Sequence, residues 1–264
     1  MSPEELLREG RPDDALSALL DAVRAAPGDP ALRLFLAQLS MVQGNWQRAL
    51  GQLQAAAGLD QAHVNLAQAY RLAIAAEGVR EQVFAGARRA PVLGEPEQWM
   101  ATLIELVSRL GEAGGSAVTG TEFEQALAEV PQVAGRINGD DFAWCGDADM
   151  RLGPFFELIL NGRYFWVPGH RIRRLAPEEP HDLRDLVWLP VAIEWTNGGT
   201  AHALMPTRYP GAAQAEPRLR LARSTEFAES VAGMWVGSGQ RMFATDTGEY
   251  PLLEIRELLF DDAG

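Results

Sequence analysis

Gly10, Gly44 and Gly78 stand 34 residues apart, and the neighbours of the first two repeat with them. Ala15 matches Ala49, Leu16 matches Leu50, Leu19 matches Leu53 and Ala22 matches Ala56. An echo of that period, built from small and aliphatic residues, constrains the fold more than any other feature. A lone helical hairpin cannot bury its apolar stripe, so repeated hairpins must stack on one another. Such stacks usually offer a concave surface to another protein.

The local chemistry fits helices joined by tight turns. Ser2 and Glu5 form a capping-box pattern ahead of Leu6 and Leu7. Gly10-Arg11-Pro12 reads as a turn, and Asp13 opens a second helix whose Ala15, Leu16, Leu19, Leu20 and Val23 keep helical spacing. Pro27-Gly28-Asp29-Pro30 closes the unit. The next runs from Ala31 through Leu39 and Val42, turns at Gly44-Asn45 and climbs through Trp46, Ala49, Leu50, Leu53 and Ala56. Small residues at Ala15, Ala22, Ala49 and Ala56 let packed helices approach closely. This pattern resembles the tetratricopeptide repeat. A third unit begins with Leu66, Ala69 and Tyr70 before Gly78, then loses register through Arg88, Arg89 and Pro91, so two repeats are convincing.

After a break at Pro91–Pro96, Trp99, Leu103, Leu106 and Leu110 mark another helix. Gly-rich residues 111–120 separate it from a shorter one bearing Phe123, Leu127 and Val130. Beyond about residue 134 the patterns shorten, and five of the seven tryptophans lie past residue 140. Tyr164–Val167, Val187–Leu189, Val191–Trp195, Ala203–Met205, Gln240–Ala244 and Leu252–Leu259 read as strands, and Leu152–Leu160 as the one helix of this half. The expected fold is α+β: a helical domain over residues 1–134 followed by a smaller, strand-rich α+β domain over 135–264.

Composition narrows the chemistry. The formal charge of −13 argues against nucleic-acid or anionic-membrane surfaces. All 23 cationic residues are arginine, which excludes Schiff-base, phosphate-loop and Ser–Lys chemistry that needs lysine. The single Cys145 precludes an internal disulfide and reads as a buried structural thiol. With no signal-peptide pattern and no apolar run near the ~20 residues of a membrane span, the cytoplasm is the expected compartment.

The chemical constellations are sparse. Asp147-Ala148-Asp149 could seat a divalent cation, but Arg151 follows at once, and a turn with a local Asp–Arg pair is the preferred reading. His63, His170, His181 and His202 form no metal motif, and Gly237-Ser238-Gly239 lacks the context of a phosphate loop. No catalytic residue, metal or cofactor is expected. Aromatic and guanidinium groups typical of interface hot spots make Trp46, Tyr70, Arg163, Tyr164, Trp166 and Arg171 the candidate partner contacts.

Several ordered blocks resemble the ImpE family, also called SciE or TagJ. They are Asp147-Ala148-Asp149, Arg151-Leu152-Gly153-Pro154, Asn161-Gly162-Arg163-Tyr164 and Trp166-Val167-Pro168. Later come Leu183 through Pro190, Pro206-Thr207-Arg208-Tyr209-Pro210-Gly211, and Gly239 through Met242 leading to Glu249 through Leu253. The opening Glu5 through Gly10 and the Gly94-Glu95-Pro96 turn agree, so the resemblance spans essentially the whole chain. It implies a non-enzymatic, cytoplasmic accessory protein of bacterial type VI secretion. It also implies binding to the contractile sheath through the N-terminal helix of the small subunit TssB, and a link to the ClpV ATPase. Two rival readings stand beside it: a metal-dependent hydrolase using Asp147 and Asp149 with a distant histidine, and a structural scaffold that dimerises through exposed aromatics.

Overall fold

Why the first two glycines recur is visible in a computed structural model of the chain, which describes residues 1–112, 118–229 and 233–261. Helices α1 (Pro3–Arg8), α2 (Pro12–Ala25), α3 (Pro30–Val42) and α4 (Trp46–Leu59) form two hairpins. Gly10 and Gly44 adopt left-handed φ values of 76° and 67°. Each closes the same motif: Gly10 N–H donates to the Leu7 carbonyl and Arg11 N–H to Leu6, while Gly44 N–H donates to Met41 and Asn45 N–H to Ser40. Two orphan carbonyls are thus satisfied at each helix end, in a backbone shape that favours glycine. Ala15 and Ala49 are fully buried between the helices.

The third glycine behaves differently. Helix α5 (Val64–Phe84) runs straight through Gly78 and ends at Gly86, whose φ is 74° and whose N–H donates to Val83. The expected turn is therefore displaced by two helical turns. The reason is tertiary: Glu77 and Arg80, which flank Gly78, are bonded into the sheet and hold the helix on its course. Helices α6 (Gln98–Glu112) and α7 (Gly120–Ala128) follow, the latter opened by a Thr119–Glu122 capping box. The Gly-rich stretch between them falls partly at 113–117, outside the described residues.

From Gly135 onward the chain is mostly strand: β1 (Gly135–Ile137), β2 (Asp140–Phe142), β3 (Cys145–Asp147), β4 (Phe155–Leu160), β5 (Arg163–Pro168), β6 (Ile172–Pro177), β7 (Trp188–Trp195) and β8 (Thr200–Pro206). After a short helix α8 (Pro217–Arg220) come β9 (Thr225–Glu229), β10 (Trp235–Gly239), β11 (Met242–Thr245), β12 (Glu249–Pro251) and β13 (Leu258–Phe260). Eight strands form one antiparallel sheet in the order β2-β1-β13-β6-β7-β8-β4-β5. A second sheet runs β12-β11-β3, and β9 pairs with β10. The β5 edge is capped where Val92 bridges Trp166, with Leu93 N–H donating to the Trp166 carbonyl and Trp166 N–H to Pro91.

Three expectations are corrected. Leu152–Leu160 is not a helix, since Phe155–Leu160 is the inner strand β4, paired to both β5 and β8. Phe155 and Ile159 join the core shared with the helices, while Phe156, Leu158 and Leu160 join the core on the other face. A strand buried on both faces reads as a continuous apolar run, which periodicity cannot separate from a buried helix. The two segments around Pro190 are one strand, β7, aligned with β8 from Trp188–Pro206 to Glu194–Thr200. Leu252–Leu259 is mostly not strand: Leu252–Glu254 forms a 3-10 turn, and pairing begins only at Leu258.

Candidate functional site

Two features of the fold have the character of sites, and they differ in chemistry. The first is a groove between α4 and α5, with a volume of ≈ 940 Å³. Leu50, Leu53 and Ala57 of α4 and Val64, Ala67, Ile74 and Ala75 of α5 line it, with Gln54, Asn65, Gln68 and Arg71 at its polar positions. The α5 residues recur at helical spacing, so they share one face. Val64 is 47% exposed, a large apolar side chain left in solvent at the groove.

The second feature is a buried ionic network that ties α5 to the sheets. Arg80 Nε lies 2.7 Å from Glu157 Oε1 and its Nη2 lies 3.0 Å from Glu157 Oε2, a two-pronged contact. The same guanidinium donates to Glu77 and to the Arg208 carbonyl. Trp188 Nε1 donates to the other Glu77 oxygen at 3.0 Å. Arg241, fully buried, pairs with Asp147 at 2.7 Å and with Glu157 at 3.4 Å. Asp149 accepts from Arg151 and from Gly237 N–H at 2.9 Å. Arg208 binds the main-chain carbonyls of Val42 and Arg220.

Here Glu77, Glu157, Asp147 and Asp149 pair with Arg80, Arg241 and Arg151, while main-chain carbonyls take the Arg208 guanidinium, as buried charges require. Burial pushes Glu157 up, but Arg80 and Arg241 outweigh it and hold the carboxyl below its ordinary range. Burial dominates at Asp147, which stays at about 6 despite Arg241, with Asp149 adding to the rise. Burial also lowers Arg208 to about 10. The arrangement is a structural clamp. Among the described residues no three His, Cys, Asp or Glu side chains gather to hold a metal ion.

The candidate contacts divide between these settings. Trp46 packs on Trp188 at 5.6 Å and donates to Glu81, half-buried at the start of α4. Tyr70 is buried beside the same Trp188 and beneath the Arg184 guanidinium, its hydroxyl pushed up to about 12 by burial. Tyr164 and Trp166 are buried and belong to the clamp: Tyr164 donates to Glu157, Trp166 Nε1 donates to the Tyr164 hydroxyl, and Trp166 packs on Phe155. Neither ring offers a face to a partner, because both close the seam between helices and sheet. Arg163 is exposed over Phe165. Arg171 anchors the α5–α6 connection, donating to the carbonyls of Leu93 and Glu95 and to the Glu97 carboxylate. Asp149 forms the local pair with Arg151, but Asp147 reaches far across the chain to Arg241 and Tyr209. Cys145 is half-buried, and burial drives its thiol up to about 12, so it remains protonated and unreactive.

Sequence reasoning missed Arg80, Glu157 and Arg241. One signal was present: Glu157 is the only charge in the apolar run Phe155–Leu160. A lone carboxylate there demands a buried cation, though its position along the chain is not readable from spacing.

Two helical-repeat hairpins, the long helix α5 and a strand-rich second half, joined by a charged clamp, define an α+β protein with tetratricopeptide-like repeats. The chain belongs to the ImpE family. The model described as "ImpE protein" matches residues 139–259, and a tetratricopeptide-repeat model matches residues 6–73. The type VI secretion system accessory component TagJ of Pseudomonas aeruginosa PAO1 is 46% identical over 262 residues, covering 99% of this chain and 92% of that protein. The crystal structure of protein VPA1032 from Vibrio parahaemolyticus superposes with a TM-score of 0.88 at 26% identity, covering 98% of this chain and 97% of that one.

Proposed function

We propose that this protein is a non-enzymatic adaptor of type VI secretion that captures an amphipathic helix in the α4–α5 groove. The occupant is the N-terminal helix of the small sheath subunit TssB, and the setting is the cytoplasm. The observation that carries this reading is the groove: an apolar floor of Leu50, Ala57, Ala67 and Ile74 with polar edges at Gln54, Gln68 and Arg71. An amphipathic helix buries its stripe in such a trough and leaves its polar face in water. The 46% identity to a type VI accessory component supports the cellular setting. A link onward to ClpV belongs to the same proposal, with the adaptor joining sheath to ATPase.

Calorimetry with a peptide of the TssB N-terminal helix tests it. Saturable binding is expected, weakened at least tenfold by Ala75→Arg, which places a long cation over the exposed groove wall. No detectable heat at high micromolar peptide overturns the proposal, and undiminished binding by Ala75→Arg overturns the groove as its site.

A further inference from the structure

Far along the chain from the α4–α5 groove, a cleft opens between the end of α7 and the edge of the small sheet. Trp99, Leu127 and Val130 of the helical part and Trp144, Pro154 and Phe260 of the strand-rich part line it, enclosing ≈ 220 Å³. Metabolite pockets commonly span about 300–1,000 Å³, so this cleft is sized for a side chain rather than a free metabolite. Trp144 is 39% exposed, an aromatic left at the cleft mouth.

The cleft borders an open strand edge. β3 is the terminal strand of its sheet, with β11 on one side only. Ala148 N–H donates to the Met242 carbonyl, and the register pairs Asp147 with Phe243, Gly146 with Ala244 and Cys145 with Thr245. Bonded and non-bonded pairs alternate in an antiparallel ladder, so Gly146 bonds to β11 while Cys145 and Asp147 turn their main-chain groups outward. Asp147 N–H is taken by the Gly153 carbonyl at 2.6 Å. Cys145, which lines the cleft, directs its N–H and C=O along the open edge.

Charge selects the kind of chain that suits this edge. Asp246 accepts from Ala143 N–H at 2.8 Å, which fixes an exposed carboxylate beside Trp144. Glu129 is exposed and adjoins Val130, which lines the cleft. The imidazole of His170, also in the lining, is held by Glu97 at 2.9 Å. No arginine lines the cleft among the described residues, and the whole chain carries −13.

We infer that this cleft is a second protein-docking site, taking an extended, cationic peptide segment that pairs with the β3 edge at Cys145 and seats one bulky apolar side chain between Val130 and Trp144. Strand addition supplies affinity through the main chain, the cleft selects the anchor residue, and Asp246 and Glu129 meet flanking arginines or lysines. The site lies where α6 and α7 meet the strand-rich half, whereas the helix groove lies within the repeats. It does not rest on the reading of that groove.

Selection from a random peptide display library on the immobilised full-length chain tests the inference. Recovered peptides are expected to share an apolar anchor flanked by Arg or Lys. Synthetic copies should bind at least tenfold more weakly to Gln132→Trp, which fills the cleft from an exposed position. The isosteric pair Asp246→Asn and Glu129→Gln should weaken them several-fold and flatten the salt dependence. Ala75→Arg should leave them unaffected. An empty selection, peptides without the cationic–apolar pattern, or binding indifferent to Gln132→Trp each overturns it.

Discussion

Arg80 shows at the scale of one residue what the clamp costs and contributes. Its guanidinium is the sole direct ion-pair partner of α5 to Glu157, both groups being fully enclosed. Removing one member of a buried pair leaves an uncompensated charge, which typically costs about 3–5 kcal/mol, while replacing both with apolar groups of similar volume is often neutral. Arg80→Met is therefore expected to lower the unfolding free energy by about that amount. Arg80→Met combined with Glu157→Leu should recover part of it, because Glu77 still loses its cation. Urea denaturation of the two variants checks the prediction, and a double variant as unstable as the single one contradicts it. The partial neutralisation of Glu157 by Arg241 at 3.4 Å should hold the single-variant loss to the lower part of that range.

The three evenly spaced glycines separate at the scale of the element. Gly44 sits at φ 67°, and a Cβ there would meet Ala213 Cβ at 2.7 Å. Gly78 lies inside α5, with nothing within 4 Å of a built Cβ. Gly44→Ala should therefore destabilise by about 1 kcal/mol or more. Gly78→Ala should stabilise by roughly 0.8–1.0 kcal/mol, because alanine is the better helix former. Thermal melts of the pair read out the opposite signs. The same contrast explains how far the sequence could be read. Gly10 and Gly44 act through local backbone geometry, so their spacing announces the hairpins. Gly78 is overruled by Glu77 and Arg80, whose partners lie in β7 and β4, and no local pattern carries that information. Leu152–Leu160 failed likewise: burial of β4 on both faces erased the alternation that marks a strand. At the groove, the sequence supplied Leu50 and Leu53, but Tyr164 and Trp166 read as candidate partner contacts, because the chain from Trp166 through Tyr164 to Glu157 leaves no trace in spacing.

At the scale of the whole molecule, the helical and strand-rich parts are bound by more than adjacency. One apolar core runs from Leu6 and Ala15 through Tyr70 and Leu103 to Phe155, Trp166 and Trp188. Polar ties cross the same boundary: Arg208 donates to the Val42 carbonyl at 2.8 Å, Arg220 pairs with Asp13 at 2.8 Å, and Arg223 donates to the carbonyls of Leu7 and Arg8. A shared core of this extent predicts a single cooperative transition. Helix loss by far-ultraviolet circular dichroism and tryptophan exposure by fluorescence should coincide along a urea titration, and two separated midpoints would show independent units.

The bond from Arg223 back to Arg8 spans 215 residues. On the ribosome, the first hairpins emerge long before the arginine that ties down the end of α1 has been translated. They must wait with that helix end untethered and with part of their apolar surface still lacking the aromatic rings of the sheet. Contacts of such sequence separation slow folding, because the loop must close before it is rewarded. A product truncated anywhere short of Arg223 thus carries recognisable repeats without their final fastening, and its exposed stripe makes it a substrate for chaperones rather than a shorter working protein.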